Sequence, residues 1–236
     1  MIKIELYKDA VPEPLTQQII RMAVLYTTEL GTDACPPDHP LYVISQIYLG
    51  FEFHAYLSAI GHPGGGNGEL LVAFDDEHPG TAIGFLLYMP ITDSVDSCGV
   101  NYGAVREASR GRGIFTALMR KMLSRYPLAS LSCFVESVPL YERLGFRVEV
   151  ARSTQVQMTT DPNPGDQTMT VIDLSRLQGH PVVIQAHEDA LAKHGHAAIA
   201  KANNEASERV DSLFRKAETF VKDRLLNSPT AGSSNC

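Results

Sequence analysis

The chain has 236 residues, 44% of them apolar, and a net charge of −7, which suits one large domain, or a domain plus an extension, with a sizeable core. It holds no run of about 18 apolar residues, which excludes a membrane-spanning helix. Its acidity argues against nucleic-acid binding, which needs basic side chains to displace counterions from phosphates, and favours cationic partners such as amines.

The first residues, MIKIELYKDA, alternate apolar and charged side chains. They lack the basic start and apolar run of a secretory leader, so a cytoplasmic location is expected. Cys35, Cys98, Cys133 and Cys236 form no C-x-x-C pair, so the usual zinc and redox spacings are absent and free thiols are expected. Cys98 and Cys133 fall in strand-like segments and read as small apolar fillers.

In chain order, residues 2–7 alternate as a short strand. Pro12 and Pro14 open a helix expected to run to Leu30, with Gly31 as its stop. Residues 41–60 form a second helical stretch, rich in aromatic residues. HPGGGNG at residues 62–68 is a connector: it has neither the Lys-Ser/Thr of a nucleotide loop nor a G-x-G-x-x-G register. Residues 69–75 and 81–91 read as a hairpin around DEHPG, and residues 99–105 as a third strand. A helix over 113–125 follows, with Ile114, Leu118 and Met122 recurring every four positions. Residues 128–135 are read as a strand, 139–144 as a short helix, and 146–158 as one further strand. TDPNPGDQ is a turn cluster, and residues 168–174 are a candidate last strand.

Gly179-His180-Pro181 breaks the chain, and residues 182–227 then carry seven basic and seven acidic side chains, so the acidic excess lies ahead of them. Their spacing is helical. This extension has three possible uses: packing back on the main domain, pairing with a second copy, or docking a partner protein. The last residues, 228–236, are expected to be disordered. The histidines do not suggest a metal site. His187-Glu188 is not followed by a second His at the zinc spacing, and His194 and His196 are two apart, on different helix faces. No metal cofactor is expected.

The chemistry-bearing segment is Arg110-Gly111-Arg112-Gly113, between a strand and a helix. The first N–H groups of a helix lack intrahelical acceptors, and the helix dipole adds positive charge there, so a phosphate fits. Gly111 and Gly113 let the backbone approach the anion. Arg110 and Arg112 supply charge and anchor the turn.

The segment VREASRGRGIFTALM resembles the coenzyme A motif of the GNAT superfamily of N-acetyltransferases. The family pattern is Arg or Gln, two residues, Gly, one residue, then Gly or Ala. Arg110 and Gly113 match it, and Phe115 stands at the sixth position. LYERLGF at residues 140–146 resembles a second family segment, with Phe134 where the family often has Asn and Ser137 where Ala is usual. The resemblance covers residues 69–158, and residues 1–68 by element order.

It implies an α/β (α+β) GNAT fold, a mixed and mostly antiparallel sheet flanked by helices, with the domain read over residues 1–178; residues 179–227, which the resemblance does not reach, are read from their spacing as a helical C-terminal extension. It implies acetyl-CoA as co-substrate, held by Arg110, Gly111, Arg112, Gly113, Ile114 and Phe115, with the pantetheine arm pairing along Gly103, Ala104 and Val105. Tyr141 inherits the family's role of protonating the leaving thiolate. The activity implied is transfer of an acetyl or related short acyl group to a primary amine, of a small molecule or a protein, by direct attack. The alternatives are a catalytically silent module that binds coenzyme A, and an adaptor acting through residues 181–227. The third strand offers only Asn101 and Tyr102 as candidate bases, with Asp93, Asp96 and Glu136 nearby in sequence.

Overall fold

A computed structural model describes residues 2–62, 67–77, 79–164 and 174–226. Seven strands form one sheet: β1 (Ile2–Tyr7), β2 (Glu69–Asp75), β3 (Ala82–Pro90), β4 (Ser97–Val105), β5 (Leu128–Cys133), β6 (Arg147–Arg152) and β7 (Gln155–Thr159). Their spatial order is β1-β2-β3-β4-β5-β7-β6. Every neighbouring pair is antiparallel except β4 and β5, which run parallel. This is the mixed, mostly antiparallel sheet expected from the sequence.

Helices cover both faces. On one, α1 (Glu13–Leu25), α2 (Thr27–Leu30) and α3 (Tyr42–Ala59) precede the hairpin in sequence. There Ile19, Met22, Phe53 and Leu57 pack on Leu70, Val72, Phe85 and Leu87. On the other, α4 (Ile114–Leu123) lays Ile114, Leu118, Met119 and Met122 over Leu71, Leu86 and Tyr88. Burial on both faces explains why β2 and β3 are almost continuously apolar, since neither strand has a solvent side to alternate with.

Two segments depart from the sequence reading. The first helix breaks at Tyr26 (φ −104°, ψ 30°) and resumes as α2. Tyr26 is buried there, and its hydroxyl accepts the Glu107 N–H at 2.7 Å. Residues 146–158 are two strands, β6 and β7, that reverse at Ser153 (φ 54°) and Thr154. Thr154 is buried, and its hydroxyl donates to the Thr32 carbonyl at 2.8 Å, so a tertiary contact fixes a turn that no Gly or Pro marks. The candidate strand over 168–174 falls almost wholly outside the described residues, as does the 228–236 tail.

The last helices are α6 (Pro181–His194) and α7 (His196–Leu226). His180 caps α6 by accepting the Val182 N–H at 3.3 Å, and its ring meets Phe51 of α3 edge-on at 4.6 Å. Gly195 (φ 80°, ψ 160°) separates the two helices. Helix α7 packs back on the sheet over β6 and β7, burying Ala217 and Val221 in the same core as α4. Cys35, Cys98 and Cys133 are free and buried, the last two as the fillers expected.

Candidate active site

The parallel pair β4–β5 stays joined only over its first part, where residues 97–100 pair with 128–131. Beyond Val100 the strands part. The register between β3 and β4 slips there, Tyr88 pairing with Val100 and Leu87 with Tyr102, so Asn101 is an extra residue bulged out of the ladder. The gap opens into a cleft of about 730 Å³. Gly103, Ala104 and Val105 line one side; Cys133, Phe134 and Tyr141 line the other. The Asn101 side-chain oxygen borders the cleft, buried, with no donor among the described residues. A buried acceptor left unpaired is costly, so this one suits a ligand that brings an N–H.

The Arg-Gly turn closes one end of the cleft. A single 3-10 turn over Glu107–Ser109 leads into Arg110. Gly111 (φ 76°) and Gly113 (φ 74°) both take the left-handed conformation that a side chain resists, although a Cβ at either would meet open space. The turn thus selects glycine for its backbone angles, and the absent side chains leave the approach clear. The first helical amide to find a backbone acceptor is that of Ala117, which donates to Gly113 O at 2.9 Å. The amides of residues 111–116 have no backbone acceptor among the described residues. They form an anion cradle at the positive end of α4.

Both motif arginines hold the turn in place. Arg110 donates through Nε to Val105 O at 3.1 Å and through Nη2 to Glu29 at 2.9 and 3.0 Å, and stacks over the Tyr26 ring. Arg112 pairs with the buried Asp75 at 2.8 Å and pulls that carboxyl below its usual pKa. Each positive charge therefore has a carboxylate partner, which leaves the free amides and the dipole as the attraction for an anion. Arg110 and Phe115 line the cleft, while Gly111, Arg112 and Gly113 are exposed at its mouth. Ile114 is a core residue whose side chain is buried beneath the helix, so it offers the cleft only its amide.

Phe115 turns inward. Its ring lies where a Cβ on Gly103 would clash at 2.8 Å, and it meets Tyr141 edge-on at 6.0 Å. Tyr141 stands on α5 (Val138–Glu142), edge-on also to Phe146 at 6.0 Å. Burial raises the phenol pKa, so Tyr141 keeps its proton at neutral pH and is able to donate it. Beside it, burial pushes the Cys133 thiol up to about 12, which keeps that sulfur protonated and unreactive.

The sequence reading missed Glu52. It reaches the cleft from α3, and the Tyr102 hydroxyl donates to its Oε1 at 2.8 Å. Burial raises the pKa of Glu52, partly offset by that hydrogen bond. A signal was present, for Glu52 is the single Asp, Glu, Lys or Arg in the helix YVISQIYLGFEFHAYLSA. Of the acids weighed from sequence, Glu136 borders the cleft but pairs with Lys216, while Asp96 lies outside it and accepts from Ser94 at 2.8 Å. Leu213 of α7 completes the rim. Among the described residues no cluster of His, Cys, Asp or Glu is arranged for a metal ion, and no helix is long and apolar enough to cross a membrane.

The geometry agrees with what comparison finds. Residues 66–148 match the family model of the acetyltransferase (GNAT) domain. No curated protein matches the chain in sequence. Among solved structures, the PaiA N-acetyltransferase of Thermoplasma acidophilum in complex with coenzyme A is similar at a TM-score of 0.50 and 18% identity, over 66% of this chain and 98% of that one. An acyl-CoA N-acyltransferase from Pseudomonas aeruginosa gives a TM-score of 0.48 at 14% identity, over 68% and 100%. At these identities the likeness is one of fold. With the family model on the segment that carries the turn, and the sheet splitting beside it, residues 66–148 of this chain form a GNAT-type acetyltransferase domain.

Proposed function

We propose that this protein transfers an acetyl group, or a related short acyl group, from acetyl-CoA to a primary amine. The observation that carries the reading is the parting of β4 from β5 beyond Val100, with a free-amide turn at one end of the gap and a protonated Tyr141 on its wall. The pyrophosphate would sit on the amides of residues 111–116. The pantetheine arm would lie along Gly103, Ala104 and Val105, where a strand edge without a parallel neighbour presents backbone groups. The amine attacks the thioester carbonyl directly. A C–N bond forms and the C–S bond breaks, and Tyr141 gives its proton to the departing sulfur. Alignment of the two reactants in the cleft supplies much of the rate, and a β4 amide polarises the thioester oxygen. The reading is tested by following free thiol release from acetyl-CoA across a panel of primary amines. Amine-dependent release supports it. Tight acetyl-CoA binding without release for any amine would favour the silent binding module.

Residues 1–178 are proposed to carry this chemistry. Residues 179–226 support it from outside, since α7 lends Leu213 to the rim and pairs Lys216 and Arg224 with Glu136 and Glu142, on either side of Tyr141.

A further inference from the structure

Of the charged side chains that line the cleft, Arg152 and Glu52 have no oppositely charged partner among the described residues. Glu29 is paired with Arg110, and Glu136 with Lys216. The Arg152 guanidinium donates to Gln157. Glu52 has no cationic partner among the described residues; the Tyr102 hydroxyl at 2.8 Å is its hydrogen-bond donor, and Oε2 has none. A half-buried carboxylate with one oxygen open to the cleft is stabilised by a cation that reaches it there. The side chains packed around its hydrogen-bond donor are aromatic. Tyr102 packs on Phe53 at 4.7 Å and stands edge-on to Tyr56 at 6.3 Å. Aromatic walls around an acid favour an ammonium over a metal ion or a neutral ligand.

Resting on the transferase reading, we propose that Glu52 is the acceptor site of this enzyme: it binds the substrate as a primary ammonium and takes the proton that must leave before attack, with Tyr102 as its positioning residue. Glu52 carboxylate removes one proton from the ammonium and later passes it to solvent. The freed lone pair forms the C–N bond as C–S breaks. The second nitrogen proton replaces the one that Tyr141 gives to sulfur, so one proton is released overall for each amide formed. Glu52 and Tyr141 thereby divide the proton transfers between the two walls of the cleft. The class of substrate is a primary amine that is cationic in solution, carried on a stem slim enough to pass the tyrosines.

The test uses propylammonium as probe and propanol as its uncharged control. In protein labelled with ¹³C at glutamate carboxyls, the Glu52 resonance is identified by its loss in Glu52→Gln. Its pH midpoint should fall on adding propylammonium, because a bound cation favours the carboxylate, and should not move with propanol. An unmoved midpoint overturns the assignment. The titration needs no acetyl-CoA, so it fails or succeeds apart from the transferase reading, which calorimetry with acetyl-CoA tests on the same samples. With propylamine as acceptor, Glu52→Gln should lower kcat/KM by roughly 10²-fold or more while leaving acetyl-CoA affinity unchanged. The wild-type rate should fall as pH drops through the raised Glu52 pKa, and that acid limb should vanish in Glu52→Gln. Tyr102→Phe removes a hydrogen bond to the charged form, so its limb should move to higher pH. A Glu52→Gln enzyme with wild-type rate and an unchanged acid limb also overturns the proposal.

Discussion

The two walls of the cleft are built in opposite ways. The wall proposed for the cofactor comes from one stretch of chain, in which β4, the turn at 110–113 and the start of α4 follow one another. The proposed acceptor side is a meeting of distant pieces, Glu52 from α3 and Tyr102 from β4, with Leu213 of α7 at the rim. A wall made of consecutive residues announces itself through local rules, such as glycine where φ is positive and free amides where a helix begins. A wall made by packing leaves only weak local traces, and here the trace was one acid in a helix with no other Asp, Glu, Lys or Arg. The contrast also bears on tolerance. The contiguous wall should fail through single backbone changes, and the assembled wall by graded loss.

The largest effect is therefore expected at the turn. Gly113→Val places a β-branched residue at φ 74°, a conformation such residues avoid. The start of α4 should shift and acetyl-CoA affinity should fall by roughly 10²-fold or more, a prediction grounded in the loss of the amide cradle and read by calorimetry. Next comes Tyr141→Phe. Its ring contacts with Phe115 and Phe146 are kept, so acetyl-CoA affinity should stay within about twofold while kcat drops by about 10²-fold. A mutant at the wild-type rate would show that water or another group protonates the sulfur.

How much of this was legible beforehand follows from the same contrast. The positions of Arg110, Gly113 and Tyr141 were readable because motif and element coincide, and so were the hairpin of β2 and β3 and the face of α4. The reversal between β6 and β7 was not. It turns on Ser153, which carries no turn signature, and it is held by the Thr154 bond to Thr32, far away in sequence. The break at Tyr26 was hidden for a similar reason, since its hydroxyl is engaged by Glu107 across the fold. The pairing of Glu52 with Tyr102 spans 50 residues, and no local rule joins them. That the extension packs back on the sheet was one of three options in the sequence, and Ala217 and Val221 decide it.

The remaining predictions grade the assembled side. Val221→Asp buries a charge beneath α7 and should cost about 2–4 kcal/mol of stability, read by urea unfolding. Acetyl-CoA binding should persist below the shifted midpoint, because the turn is untouched. Lys216→Ala removes an exposed ion pair with Glu136, of a kind worth about 0–1 kcal/mol. It should change kcat by no more than about threefold, since the pair only braces the segment leading to Tyr141. A loss as large as that of Tyr141→Phe would mean that α7 takes part in the chemistry.

If the amide turn at 111–116 holds acetyl-CoA in the split between β4 and β5, the melting temperature reports it most directly. A ligand that binds the folded state alone raises it, by an amount that grows with ligand concentration. Acetyl-CoA should raise the melting temperature of the wild-type protein progressively and that of Gly113→Val hardly at all. No shift in the wild type at saturating acetyl-CoA, or an equal shift in both proteins, would contradict that placement.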